Sequence, residues 1–340
     1  MIGLKKILYI GHSYHAKTLS TSFLLNLLSK HFDVKIILDE SWQGEREPDL
    51  SNVGNDLFAV IFFQVISENM LKQISCDNII FFPMYDDCVG RNVEYWYPYR
   101  NIKIFNFSST LHNKLQSWGF NSEYIHYYPK FIESSKPNKL NDLSIFFWQR
   151  TNDITWNQVK KIISNLDIES IHIHKAVDPG HVFEKPSIDD EKVYKITYSD
   201  WFDTKEDYIK AVHSKTIYFA PRLFEGIGFS FLEAMAIGRV VIAPDNPTMN
   251  EYIVHGINGY LYNLDNIVPI HIDTADDILE NLKRGVIEGE KKWQRDQHKI
   301  VEFIETQVNI KHCRLKAHYL IIVVFNFAKS FLVKIKNLFK

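Results

Sequence analysis

Two carboxylates carry the most chemical information in this chain. Glu225 and Glu233 stand eight residues apart in PRLFEGIGFSFLEAMAIGRVVIAPDNPTMNEYIVHGINGYLY, residues 221–262. Between them Gly226 and Gly228 break the chain, and a helical run follows until Gly238 stops it. The amides of Gly226, Ile227, Gly228 and Phe229 then fall at a helix N-terminus, where unsatisfied N–H groups and the helix dipole favour an anion. After a buried strand, VVIAP, a polar loop carries Thr248 and Met249 and ends in Glu251. Ionised carboxylates accept hydroxyl donors and the turn accepts an anion. The set suits a ligand with a diphosphate and several hydroxyls, a description that a nucleotide sugar meets. Each acid also has a plainer reading: Glu233 complements the helix dipole, and Glu225 is an exposed loop charge.

Such a site needs rigid elements on either side. KKILYIG (5–11) predicts a first buried strand, followed by a helix over LSTSFLLNLLSKHF and a strand at VKIILDE. LFAVIFFQ, NIIFFPM and IKIFNFS predict further strands. ESSKPNKLND is polar and helix-poor and predicts a linker. A second series then runs through LSIFFWQ, the helix WNQVKKIISNL, SIHIH, a polar excursion at AVDPGHVFEKPSIDDE, a strand at KVYKITY, the helix EDYIKAVHS, TIYFAP and the stretch above. Strands alternating with helices imply βαβ units and parallel sheets. The expected division is a Rossmann-like domain at 1–132, a linker at 133–143, a second such domain at 144–300, and terminal helices at 301–340. Ligands in open α/β sheets sit beyond the carboxyl ends of strands, so the loops after Gly11, Pro83, Gln149, Ala220 and Pro244 are where chemistry is expected.

The 221–262 stretch resembles the donor-binding region of the family 4 retaining glycosyltransferases, also called glycosyl transferases group 1. The matching pieces are EGIG (225–228), LEAMAIG (232–238), VVIAP (240–244), NEYI (250–253) and GINGYLY (256–262). The resemblance implies an α/β fold of the GT-B type: two Rossmann-like domains facing across a cleft, with C-terminal helices. It implies that Glu225 contacts donor-sugar hydroxyls and that Glu233 accepts from the nucleotide ribose. Amides of Gly226, Ile227, Gly228 and Phe229, with those around Thr248 and Met249, would surround the sugar and phosphates. It also implies a role for Arg150 on the diphosphate. Family members often carry Lys five residues later, where this chain has Thr155. Lys160 and Lys161 lie further along, and Arg222 is the alternative substitute, since a guanidinium fork matches phosphate oxygens.

The N-terminal half would receive the acceptor. Gly11 and His12 follow the first strand, with His15 beyond, and Asp86 and Asp87 stand at another strand tip. Asp86 either orients an acceptor hydroxyl or makes a turn. VEYWYPYR and HYYP hold aromatics that either stack on sugars or fill a core. The implied reaction is retaining sugar transfer from a nucleoside diphosphate to an acceptor hydroxyl, with no metal and no cofactor. Competing readings are a sugar-nucleotide epimerase or glycogen/sucrose-type synthase of the same architecture, and a non-catalytic nucleotide-sugar-binding protein. A dehydrogenase is disfavoured because no GxGxxG follows the first strand.

Composition is globular: 340 residues, 46% hydrophobic, 24% charged, with a net charge of −2. That charge argues against nucleic acid as partner. Three cysteines without CxxC spacing fit a reduced, cytoplasmic setting. The last thirty residues hold seven Lys/Arg and no acid. Asn326, Lys329, Lys336 and Lys340 share one helical side opposite Phe327, Phe331, Leu332, Ile335 and Leu338, the pattern of a basic amphipathic helix. Residues 317–340 are therefore expected on the anionic inner face of a plasma membrane, serving a lipid-linked glycan acceptor of surface polysaccharide such as O-antigen or capsule. A solvated Lys face on a packed final helix is the competing reading.

Overall fold

A computed structural model describes residues 3–54, 56–133, 140, 142–272, 277–306, 321 and 324. The chain forms two compact units, one running to Ile125 and resuming at Asp296, the other His126–Arg295.

The first unit has six parallel strands: β1 (Lys5–Gly11), β2 (Phe32–Leu38), β3 (Ala59–Phe63), β4 (Ile79–Phe82), β5 (Lys103–Asn106) and β6 (Ser122–Tyr124). Their order is β2-β1-β3-β4-β5-β6. Its helices are α1 (Ser13–Thr18), α2 (Ser22–Leu28), α3 (Glu68–Lys72), α4 (Tyr85–Cys88), α5 (Val93–Trp96) and α6 (Ser109–Trp118). AVIFF and IIFF are buried at every position, as strands covered on both faces must be. The single helix predicted over LSTSFLLNLLSKHF is instead a break and a shorter helix: Leu19 closes α1 in the left-handed region (φ 57°) and α2 starts at Ser22.

The second unit repeats the plan with β7 (Leu143–Trp148), β8 (Ile168–His174), β9 (Thr197–Ser199), β10 (Ile217–Phe219), β11 (Val240–Pro244) and β12 (Tyr260–Tyr262), ordered β12-β11-β10-β7-β8-β9. All pairs are parallel. Its helices are α7 (Trp156–Ile162), α8 (Ile188–Val193), α9 (Lys205–His213), α10 (Phe229–Ala236), α11 (Met249–Tyr252) and α12 (Asp277–Asp296). The chain ends its described globular part with α13 (His298–Glu305), in the first unit. The strand predicted at KVYKITY begins as the end of α8, at Lys192 and Val193, and is strand only from Thr197. Ser187 caps α8 by accepting from the Asp190 N–H, three acids fill its first turn, and Lys195 (φ 44°) turns the chain before β9.

The units change over at Ile125/His126 and Arg295/Asp296, not at the expected 133–143 and 300. Aromatic packing explains the first shift. Tyr127 meets Phe229 (5.2 Å) and Trp293 (5.1 Å), and Tyr128 meets Tyr252 (5.1 Å), so HYYP belongs to the second unit's interior. The second shift follows from the C-terminal carbonyls of α13, which bond Lys103 and Asn78 of the first unit. In VEYWYPYR, Trp96 is fully buried and Tyr99 nearly so, within the first unit's core, with Tyr95 and Tyr97 partly buried against it.

Strand order fixes where each unit opens. In the second unit the chain runs outward from β7 to β8 and β9, then returns to β10 on β7's other side. The loops after β7 and β10 diverge there, and that crevice is where such sheets hold ligands. In the first unit the same reversal lies between β1 and β3.

Candidate functional site

The loop after β7 begins with Gln149, fully buried, donating to the Val182 carbonyl (3.1 Å) and accepting from the Glu184 N–H. It anchors the polar excursion to the strand end. Arg150 follows, with its guanidinium over the Trp148 ring (4.6 Å). Its Nε and Nη2 both donate to Asp178 Oδ1, at 3.1 and 2.8 Å. The Asp178 N–H returns a bond to the Arg150 carbonyl (2.8 Å). From the loop after β10, Arg222 Nη2 donates to the other carboxylate oxygen of Asp178 at 2.6 Å. Burial alone would raise the Asp178 carboxyl, but Arg150 and Arg222 outweigh it and hold it below the usual range.

Three residues beyond Arg222, Glu225 is buried, 8% exposed, and is no surface loop charge. Its N–H donates to the Pro247 carbonyl (3.3 Å), and Thr248 Oγ1 donates to the Ile227 carbonyl (3.3 Å). These bonds tie the loop after β10 to the loop after β11. Among the described residues Glu225 Oε1 has no hydrogen-bond partner. Burial raises its carboxyl above the ordinary value; Arg222 and Arg150 pull it back, and Asp178 adds to the rise.

Gly228 then precedes α10 in the left-handed region (φ 86°), and a Cβ there would lie 1.9 Å from the Phe231 ring. Only glycine fits both conditions. The first turn of α10 thereby starts directly after the loop, with Gly226, Ile227 and Gly228 buried and Phe229 half-buried. Thr248 and Met249 are fully buried, so neither side chain reaches the surface of the loop. Further along α10, Glu233 is partly exposed and accepts from Lys205 Nζ at 2.6 Å.

Thr155 has a different task from the family's Lys. It stands at the N-cap of α7, where its N–H and Oγ1 both donate to Gln158 Oε1 (3.0 and 2.6 Å). Lys160 is paired with Asp190.

In the first unit the loop after β1 brings together more than its motif suggested. Gly11 accepts from the Asp39 N–H (2.8 Å), and His12 is buried, with its ring 4.0 Å from that of His15. Both rings bond Gln64 Oε1, at 3.3 and 2.7 Å, and Gln64 Nε2 donates to Asp87. Burial lowers both histidines, His15 to about 4 with His12 adding to the effect. Asp86 is half-buried on α4 and not on a strand tip. Ser13 and Trp42 donate to Glu40 Oε2 at 2.7 and 3.2 Å.

Sequence reasoning passed over Asp178, Lys205 and Gln64. Asp178 lies in an aperiodic excursion and Gln64 follows an all-apolar strand, so neither carried a signal. Lys205 follows Thr204, which caps α9 and accepts from the Asp207 N–H. The T-x-x-D spacing marks that helix start.

Residues 196–268 match the sequence model of the glycosyl transferases group 1 family. No curated protein matches the whole sequence significantly. Among solved structures, HepE of Anabaena, in complex with UDP and glucose, superposes with a TM-score of 0.59 at 10% identity, over 89% of this chain and 100% of that one. A glycosyltransferase from Rickettsia africae gives 0.58 at 13% identity, over 89% and 100%. The lipopolysaccharide outer core galactosyltransferase WaaB gives 0.56 at 17%, over 90% and 97%. At these identities the likeness is one of fold. The group 1 segment spans β9 to β12, beside the Arg150–Asp178–Arg222 crevice, and the chain that carries it has the GT-B fold.

Proposed function

We propose that this enzyme transfers a sugar from a nucleoside diphosphate to an acceptor hydroxyl with retention at the anomeric carbon. The observation that carries this reading is Glu225: a buried carboxyl at the strand-order reversal, whose Oε1 has no hydrogen-bond partner among the described residues. An unsatisfied buried polar atom costs about 1–3 kcal/mol, and a sugar hydroxyl removes that cost. HepE, whose structure holds UDP and glucose, supports a nucleotide-sugar donor here. Glu233, on the same helix as the anion-favouring N-terminus, accepts from the ribose in this reading.

In the reaction the bond between the anomeric carbon and the phosphate oxygen breaks, and one to the acceptor oxygen forms on the same face. The acceptor proton passes to the departing diphosphate. Arg150 and the first-turn amides of α10 stabilise the growing negative charge, as fixed dipoles and charges do in a dry site. No metal enters this scheme.

The acceptor in this reading is a lipid-linked oligosaccharide of surface polysaccharide, met at the inner face of the membrane through residues 317–340. That tail lies outside the described residues apart from Ile321 and Val324. Among the described residues no helix is long and apolar enough to cross a membrane. Its one-sided charge supports peripheral attachment. Deleting 317–340 should abolish sedimentation with anionic liposomes; undiminished sedimentation rules the attachment out.

The deciding experiment incubates the full chain with a panel of radiolabelled nucleotide sugars and a lipid-linked acceptor extract. Transfer of label with the anomeric configuration kept is expected. A product of inverted configuration overturns retention, and no turnover of any donor overturns the reading.

A further inference from the structure

We infer that the donor diphosphate is gripped by two arginines, Arg150 and Arg222, aimed by the carboxylate of Asp178, so that Arg222 supplies the cation that Thr155 does not. This rests on the donor reading above. The two guanidinium groups come from different loops, after β7 and after β10, and meet on opposite oxygens of one carboxylate at 2.8 and 2.6 Å. Like charges brought together in a half-buried place repel, and Asp178 between them removes most of that cost.

The sum matters. Two guanidinium groups share the one carboxylate of Asp178, so it balances only one of them, and burial disfavours the charged form of the neighbouring Glu225. Arg150 spends two N–H groups on Asp178, and a guanidinium has five. Its guanidinium lies over the Trp148 ring, and the Asp178 N–H bond to its carbonyl ties the two main chains together. A diphosphate presents two phosphoryl groups, one for each guanidinium. Lys160 does not compete for this role. Lys160 is held by Asp190, and Thr155 is committed to Gln158.

A purely structural ion network would hold the loops together and do nothing for the second phosphate. The test therefore measures a ratio. Calorimetry on the full chain compares uridine, guanosine and adenosine diphosphates with their monophosphates. The wild type is expected to prefer one diphosphate over its monophosphate. Arg222→Ala should shrink that preference about tenfold or more while monophosphate affinity stays within a few-fold, since only the second phosphate loses its charge-assisted bond. Arg222→Lys should recover part of it. Asp178→Asn should lower diphosphate affinity, and Arg222→Ala should cost less in that background than alone, the mark of a shared unit. If Arg222→Ala does not fold, Arg222→Gln serves in its place. An unchanged ratio, or equal loss of both ligands, overturns the inference while leaving the donor reading intact. A wild type that binds no nucleoside diphosphate overturns both.

Discussion

Glu233 Oε1 accepts from Lys205 Nζ at 2.6 Å, joining the start of α9 to the middle of α10. Lys205 is the residue directly after the Thr204 cap, so α9's own start geometry aims the ammonium. The pair is half-exposed, and such pairs contribute about 0–1 kcal/mol to stability. Its value is in orientation: a carboxylate held by one oxygen keeps the other for the ribose hydroxyls that the proposed function assigns to it.

From this, Glu233→Ala should raise the donor KM about 10- to 100-fold, the loss of hydrogen bonds to a charged group at about 1.5–3 kcal/mol. Lys205→Ala should raise it only a few-fold, with the melting temperature nearly unchanged. Steady-state kinetics and a thermal melt check both. A Lys205→Ala effect as large as that of Glu233→Ala would mean that Lys205 itself touches the donor.

Glu225 sets function against stability. Its carboxyl is raised in the fold because burial disfavours the charge. Stability is then complete below the unfolded value of about 4.3 and is lost as pH rises through the folded value. Glu225→Gln removes that loss. Its melting temperature should exceed the wild type's at pH 7.5 and converge with it near pH 4.5, while transfer falls about 10- to 100-fold. Melts at the two pH values and one rate assay suffice. A variant less stable than wild type at pH 7.5 would show that Glu225 is ionised and satisfied by protein groups.

The division of labour between sequence and structure is visible in these residues. The loop from Glu225 to Phe229 could be read because Gly228 is obligatory at its φ and the helix start is written locally. The strands could be read because AVIFF and VVIAP are buried on both faces and show it in composition. Asp178 could not: it is placed by Gln149 anchoring an aperiodic loop, a contact between residues 33 apart. Thr155 was visible as a departure from the family, but its use as a cap depends on Gln158 three residues on. HYYP and VEYWYPYR read as ambiguous aromatics, since only packing decides which unit takes them.

The histidine pair gives the first unit a pH signature. Burial lowers His12 and His15, the latter to about 4, although Asp87, Glu40 and Asp39 pull His12 upward. Groups depressed in the fold contribute stability that is present above the unfolded value of about 6.5 and is lost as pH falls through the folded one. The wild type should therefore melt progressively lower between pH 6.5 and 4. His15→Gln, which keeps polar contacts to Gln64 and Ser20 within reach, should flatten that slope. Parallel slopes for the two proteins would place the acid sensitivity elsewhere.

Lys103 fixes the last described helix. Its ammonium is buried on β5 and donates to the carbonyls of Ile304 (3.1 Å) and Thr306 (2.9 Å) and to that of Phe303. Those carbonyls are the ones a helix end leaves without partners, and a cation there also complements the dipole. Burial lowers the amine to about 8, so at pH 7 it stays mostly protonated and keeps its donors. Asn78 adds a bond to the Ile304 carbonyl (2.9 Å), and Phe105 packs on Phe303. Lys103→Met keeps the length and loses every donor, at a cost of about 2–3 kcal/mol. Because Asn78 and Phe105 remain, the loss should be local: hydrogen exchange at α13 amides should quicken at least tenfold while β7 and β10 keep their protection. Unaltered exchange at α13 would show that its apolar face alone, Ile300, Val301 and Ile304, holds it in place.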